Sequence, residues 1–282
     1  MNGINKALVI FCEGTHDVAF LSQAFRHCLG FERAALKFSQ LPSPFNFLFK
    51  ANVDNHAAQD LSLDMAHKFF LPDQLLKNDN KIILLFNSGG DTQSQKIITL
   101  LADLLPLLHQ ASVFPAEEGS YIEETNFLFT YDADEVGATR RIESIKENFS
   151  SIEEITFIED DFQESPHSPY GFFSGKKSIY IWGETPEKGT LEDLTFPIFN
   201  EDNPELVEKL GFIDEAFDWA DSVSQQSKRK KAIITCAGQK KKPGGSLSTI
   251  LDQAKLIKKT TFRSNKKVTE FIRFVESHAL EY

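Results

Sequence analysis

Two short apolar runs in this chain end on carboxylates, and each leads directly into a helical pattern. The first, Leu8-Val9-Ile10-Phe11-Cys12, stops at Glu13-Gly14, with Asp17 just beyond. The second, Asn126-Phe127-Leu128-Phe129-Thr130-Tyr131, stops at Asp132-Ala133-Asp134, with Gly137 just beyond. A strand that turns into a helix at its carboxyl end is the repeating unit of an α/β sheet, and such sheets build their sites at those ends. Carboxylates held close together repel one another unless a proton or a cation intervenes. The two clusters therefore point to an α/β architecture and to one candidate metal site.

The rest of the chain extends this pattern. Strand-sized runs at 7–12, 35–38, 81–87, 126–131, 155–158 and 178–182 alternate with helical spacing over 17–29, 93–109, 136–148, 191–199 and 204–210. Such alternation predicts a mainly parallel sheet flanked by helices. Residues 41–80, rich in Pro, Asn, Asp and Phe, read as an insertion with one helix near 58–70. From Phe212 onward only helical patterns occur, broken at 238–245. The expected organisation is a catalytic domain over 1–200, with the insertion at about 41–80, and a helical, basic C-terminal region over 201–282.

Composition limits the function classes. The chain is 41% apolar and 25% charged, as soluble globular proteins are, and its 26 Phe read as core. Cys12, Cys28 and Cys236 are too few and too far apart for a disulfide framework or a zinc motif, which fits a reducing cytoplasm. No signal-peptide pattern and no apolar run near membrane-spanning length is seen, so a cytoplasmic protein with no membrane partner is expected. The net charge of −11 is uneven: residues 228–267 hold 13 Lys or Arg against Asp252 alone. The remaining 17 basic and 40 acidic residues give −23. A basic segment on an acidic body suggests a polyanion as partner. Lys228, Arg229, Lys230 and Lys231, with Lys240, Lys241 and Lys242, are candidate phosphate contacts; a solvated surface or an acidic partner would use the same residues.

The carboxylates carry the chemistry. If a helix starts near Thr15, Glu13 and Asp17 point into one crevice; the plain alternative makes Asp17 a helix-start residue. Alternate residues of an extended segment face the same way, so Asp132 and Asp134 can reach one ion, unless Asp134 only caps the next helix. Oxygen donors favour Mg²⁺ or Mn²⁺ over zinc. The seven histidines form no HExxH or paired zinc motif, and His16 reads as a polar first-turn residue.

Glu13-Gly14 after a first strand, followed by Asp132-x-Asp134-x-x-Gly137 after a later one, resembles the Toprim domain shared by topoisomerases, primases and OLD-family nucleases. Glu13-Gly14-x-x-Asp17 and the later Gly89-Gly90 look most like the OLD-like branch. Gly189-Thr190-Leu191-Glu192-Asp193 resembles an acidic segment of small stand-alone Toprim proteins. The resemblance spans residues 6–195. It implies a Toprim-like fold and a Mg²⁺- or Mn²⁺-dependent nuclease that hydrolyses phosphodiesters of DNA or RNA. Asp17, Asp132, Asp134 and Glu192 would then be metal ligands, and Glu13 a general acid–base or a further ligand. A lysine offsetting transition-state charge would be Lys231 or one of Lys240–Lys242. The chain has no GxxxxGK[ST] loop. OLD-like domains often work with an ATPase, so a separate ABC- or SMC-like ATPase is the implied partner and bacterial antiviral defence the implied setting; a homo-oligomer is left open.

Two other readings compete. A Toprim fold could dock or sense without turnover, although all its acids are present. A HAD-type phosphatase also uses Asp-x-Asp at a strand end, with Asp160-Asp161 as its later acid pair. That motif normally opens its domain, and Glu13-Gly14 would go unexplained.

Overall fold

In a computed structural model of the chain, residues 4–57, 70–90, 94–113, 121–149 and 162–280 are described. The elements run β1 (Lys6–Cys12), α1 (Thr15–Cys28), β2 (Glu32–Arg33), α2 (Phe45–Ala57), β3 (Gln74–Asn78), β4 (Lys81–Asn87), α3 (Ser94–Val113), β5 (Glu124–Asp132) and α4 (Gly137–Phe149). Then come β6 (Gln163–Ser165), β7 (Ser168–Ser174), β8 (Lys177–Trp182), α5 (Glu192–Asp202), α6 (Pro204–Lys209), α7 (Phe212–Ala216), α8 (Val223–Gly238), α9 (Leu247–Gln253), α10 (Lys259–Ser264) and α11 (Lys266–Val275). The strands form one eight-stranded sheet in the order β2-β3-β4-β1-β5-β8-β7-β6. The four central strands β4, β1, β5 and β8 are parallel, and antiparallel strands extend the sheet on both sides. This is the expected α/β sheet flanked by helices, with a parallel centre, antiparallel edges and a helical C-terminal segment.

Strand β1 lies at the centre because it is apolar on both faces. Its residues alternate between two cores, as a period of two requires. Leu8 and Ile10 face α1, α5 and α8–α11, whereas Ala7, Val9 and Phe11 face α2, α3 and α4. Between β1 and its two neighbours the chain changes face: α1 covers one side and α3 the other. That is the switch point at which open α/β sheets leave a crevice beyond their strand ends. The register brings Cys12 level with Asn87 of β4 and Thr130 of β5, so the ends of the three strands align below that crevice.

Several sequence expectations need correction. No strand occupies 35–38; the edge strand is β2, where only Glu32 and Arg33 pair with β3, and a 3₁₀ turn follows at Phe38–Gln40. The region 41–80 is not wholly an insertion. Gln74–Asn78 is β3, a sheet strand joined to β4 by the two-residue turn Asp79-Asn80, with Asn78 paired to Lys81. A helix occupies 45–57; most of the one expected at 58–70 lies outside the described residues, and Phe70 is not helical. The expected strand at 155–158 and the pair Asp160-Asp161 also lie outside them. The hairpin β6–β7 was not anticipated, because Pro169 and Gly171 give it the composition of a loop. Gly171 is needed there because the Phe274 ring of α11 sits where its side chain would project.

Candidate active site

Glu13 follows the last residue of β1, and Asp132 ends β5. The two clusters touch: Glu13 Oε2 accepts a hydrogen bond from the Asp132 N–H at 3.0 Å. Asp17 is the third residue of α1, buried, and its Oδ2 accepts from the Gly14 N–H at 2.6 Å. Its helix-start role is therefore real. Its Oδ1, however, is buried with no hydrogen-bond partner. Gly14 has φ −137° and ψ 167°, open to any residue, so backbone conformation does not explain the glycine. Space does: an added Cβ would lie 2.9 Å from His16 Cε1.

The late acidic segment closes the crevice. Asp134 and Gly189 exchange backbone hydrogen bonds at 2.7 and 2.8 Å, and Asp132 Oδ1 accepts from the Leu191 N–H at 2.8 Å. Glu192 thereby opens α5 beside α1. Its carboxylate accepts from Ser227 Oγ at 2.9 Å, and its Oε1 lies 3.2 Å from His16 Nε2 and 3.5 Å from Lys231 Nζ. Gly137 permits this closure, with φ 81° and the backbone of Glu187 in the place of a side chain.

The fold thus brings Glu13, Asp17, Asp132 and Glu192 together at one strand-end crevice. Asp134 parts from them. The strand ends at Asp132, and Asp134 takes a left-handed conformation (φ 50°), so the alternation argument does not reach it. Its carboxylate pairs with Arg141 of α4, whose Nε also donates to the Asp132 carbonyl at 2.9 Å. Asp134 stands on the rim, 45% exposed at the side chain.

The charges inside the crevice are unbalanced. Burial, with repulsion from Asp17, raises the Glu13 pKa to about 7 against the opposing hydrogen bond from the Asp132 N–H. Burial, then the charges of Asp17, Glu13 and Glu192, pushes Asp132 well above its ordinary value. Burial also raises Asp17, although the His16 charge opposes it. Glu192 differs: burial alone would raise it, but His16, Lys231 and Ser227 outweigh burial and pull it down to about 2. Burial, and the nearby Asp17 charge, hold the Cys12 thiol well above its usual range, so it is no nucleophile.

Among the described residues, no three His, Cys, Asp or Glu side chains form a ready ligand set. The donor chemistry nonetheless fits a hard divalent cation. Burial, with neighbouring negative charges, destabilises three of the carboxylates as anions, and the buried Asp17 Oδ1 accepts no hydrogen bond.

The basic residues divide. Lys231 reaches the crevice, whereas Lys230 pairs with Asp193 and Arg229 forms a two-bond ion pair with Asp214. Lys228, Lys240 and Lys241 are exposed and Lys242 is half-buried; Lys241 Nζ donates to the Lys255 carbonyl at 3.4 Å. Lys240–Lys242 lie in the turn after α8, so of the candidate lysines Lys231 is the one placed beside Glu192. From the sequence His16 reads only as a polar first-turn residue, and Arg141 and Ser227 are not singled out. One signal was available: Ser227 and Lys231 stand one helical turn apart, on one face.

No known family model matches this chain, and no curated protein matches it. Among solved structures it is similar to the crystal structure of hypothetical protein PH0156 from Pyrococcus horikoshii OT3, at 16% identity over 98% of this chain and 96% of that one, with a TM-score of 0.49.

Proposed function

We propose that the crevice is a divalent-cation site and that the protein is a Mg²⁺- or Mn²⁺-dependent nuclease acting on DNA or RNA. The observation that carries this reading is the meeting of Glu13, Asp17, Asp132 and Glu192 at the sheet's switch point, with three of the four destabilised as anions. Asp17, Asp132 and Glu192 would hold the cation, with Glu13 completing the set. A bound cation would draw charge from phosphate oxygens and stabilise the leaving oxygen. The chain's own groups supply the rest. Lys231 places an ammonium beside Glu192, where it can meet phosphate charge. Ser227 fixes the Glu192 carboxylate, and Arg141 fixes the turn that carries Asp132. Lys228 and Lys240–Lys242 offer salt-dependent contacts to the nucleic-acid backbone. A separate ABC- or SMC-like ATPase as partner, and a role in antiviral defence, rest on the Toprim resemblance alone.

A second reading is a Toprim-like fold that docks without turnover. Lys230, Lys231 and Arg141 favour it, because each neutralises an acid of the site or its rim. A cleavage screen separates the two. Full-length protein is incubated with DNA, tRNA and rRNA in Mg²⁺ or Mn²⁺, with and without proteins encoded nearby. Nuclease action predicts cleavage that EDTA abolishes and that Asp132→Asn lowers by about 100-fold or more. Cleavage at the wild-type rate by Asp132→Asn would overturn the assignment, and none under any condition would favour docking.

A further inference from the structure

The basic segment 228–267 does not stay together in the fold. Along α8 its charges are largely neutralised: Arg229 by Asp214, Lys230 by Asp193 and Lys231 by Glu192. Further on, α10 brings Lys259 and Arg263 against the last turn of α1, which carries Arg26 and His27. Arg263 Nε donates to the His27 carbonyl at 2.8 Å, and the Phe262 ring lies 5.4 Å from the His27 ring. Lys259 and Arg263 stand one helical turn apart, so they share one face of α10. Four basic side chains from two helices thus gather on one patch, with Lys259 and Arg263 exposed.

Among the described residues Arg26, Lys259 and Arg263 form no ion pair, whereas Arg33 pairs with Asp252 and Lys258 with Asp202. Asp202 also accepts from the Lys258 N–H at 2.6 Å and from Thr261 Oγ1 at 2.9 Å, so it is occupied. Glu276 acts on the neighbouring Cys28. Partial burial, followed by the charges of Arg26, Lys259 and Arg263, lowers the His27 pKa. Helix α1 accounts for part of this arrangement: basic residues in a last turn suit its dipole, and Arg263 satisfies a terminal carbonyl. Lys259 has no such duty in the first turn of α10, where the dipole disfavours it. Like charges gathered in this way repel one another, and a visiting anion relieves them.

We propose that Arg26, His27, Lys259 and Arg263 form a second contact for the nucleic-acid backbone, remote from the crevice. This rests on the nuclease reading above and adds to it the path of the substrate. Asp17 and His27 are ten residues apart on α1, a distance of about 15 Å along its axis. A strand rising about 3.4 Å per nucleotide covers that distance in about four or five nucleotides. The substrate therefore runs from the crevice along α1 to the patch, and a fragment shorter than about five nucleotides reaches only one of the two. Guanidinium groups meet phosphate through paired N–H donors, and the Lys259 ammonium adds a point charge. None of these contacts reads a base, so the patch adds affinity without sequence preference.

The test measures binding by the full chain in EDTA, which withholds the cation and so prevents cleavage. Fluorescence anisotropy follows labelled DNA and RNA single strands of about 20 nucleotides between roughly 50 and 200 mM salt. Each phosphate contact on a single strand contributes about 0.7 to the slope of log affinity against log salt. Arg26→Gln/Lys259→Gln/Arg263→Gln is expected to reduce that slope by about 2 and to weaken binding about tenfold or more at the low-salt end. Lys96→Gln/Lys176→Gln/Lys209→Gln removes the same charge from other exposed positions and is expected to leave the slope unchanged. Should the first triple variant not fold, Arg26→Gln/Lys259→Gln keeps the Arg263 bond to His27 and is expected to reduce the slope by about 1.4. Equal slopes for the patch variants and the wild type would overturn the patch and leave the nuclease reading standing. Failure of the wild type to bind either strand would overturn both.

Discussion

Gly14 and His16 form a pair whose coupling can be measured. Gly14→Ala adds a methyl group against the His16 ring in a well-packed loop, which should cost about 1–3 kcal/mol of stability. In a His16→Ala background most of that cost should vanish, and urea denaturation of the four proteins in this cycle would show it. A cost unchanged by removal of the ring would place the clash elsewhere. The acids make a second prediction at this scale. Glu13 titrates near 7 folded and near 4.5 unfolded, so between those values the folded chain keeps a proton that the unfolded chain has released. Stability from this group is full below about pH 4.5 and is lost as pH rises through 7, a loss on the order of 3 kcal/mol. Asp17 and Asp132 are shifted the same way. Glu192 has the opposite sign: its stability is present above about pH 4.5 and is lost as pH falls toward 2. In EDTA, the melting temperature should therefore be highest near pH 5 and lower at pH 7.5. What the sequence disclosed at this scale was the identity of the carboxylates. It could not disclose that Asp134 turns away, because that depends on a left-handed backbone and on Arg141, seven residues further on.

At the scale of elements, the crevice depends on how α5 and α8 meet. Ser227 satisfies a buried carboxylate, and its loss leaves Glu192 short of a donor. Ser227→Ala is expected to destabilise the fold by about 1–3 kcal/mol and to weaken divalent-cation binding, with Ser227→Thr restoring much of both. Calorimetric melting and titration of the two variants would check this. The long elements were legible because their periodicity is strong. Strands β1, β4 and β5 are continuous apolar runs, and α3 carries a leucine-rich face. The short edge strands were not. β2 is two exposed residues, and β7 contains Pro169 and Gly171, the latter explained only by the Phe274 ring packed against it. Glu192 drew attention through a resemblance of sequence, but its nearness to His16 and Lys231 arises from contacts among three helices distant in the chain.

At the scale of the molecule, the C-terminal helices are one layer of the sheet's own core. Phe271 and Phe274 of α11 pack against Tyr180, and Phe271 also against Trp182, in the middle of one sheet face. Phe262 of α10 packs on Phe20 of α1. A chain ending at residue 200 would lack these phenylalanines and leave Phe20, Tyr180 and Trp182 uncovered. It is expected to lack a cooperative thermal transition, and a sharp melt with intact near-ultraviolet dichroism would show that the first 200 residues fold alone. Among the described residues, no helix is long and apolar enough to cross a membrane.

A divalent cation would relieve the burial and repulsion that destabilise Glu13, Asp17 and Asp132 as anions. Thermal melting of the wild type and of Asp132→Asn at pH 7.5, in EDTA and in a Mn²⁺ titration, tests it most directly. Asp132→Asn is expected to melt higher than the wild type in EDTA, because one of the opposed charges is gone. Mn²⁺ is expected to raise the wild-type melting temperature by several degrees and that of the variant far less. A wild type more stable than Asp132→Asn in EDTA, with equal Mn²⁺ shifts in both, would contradict it.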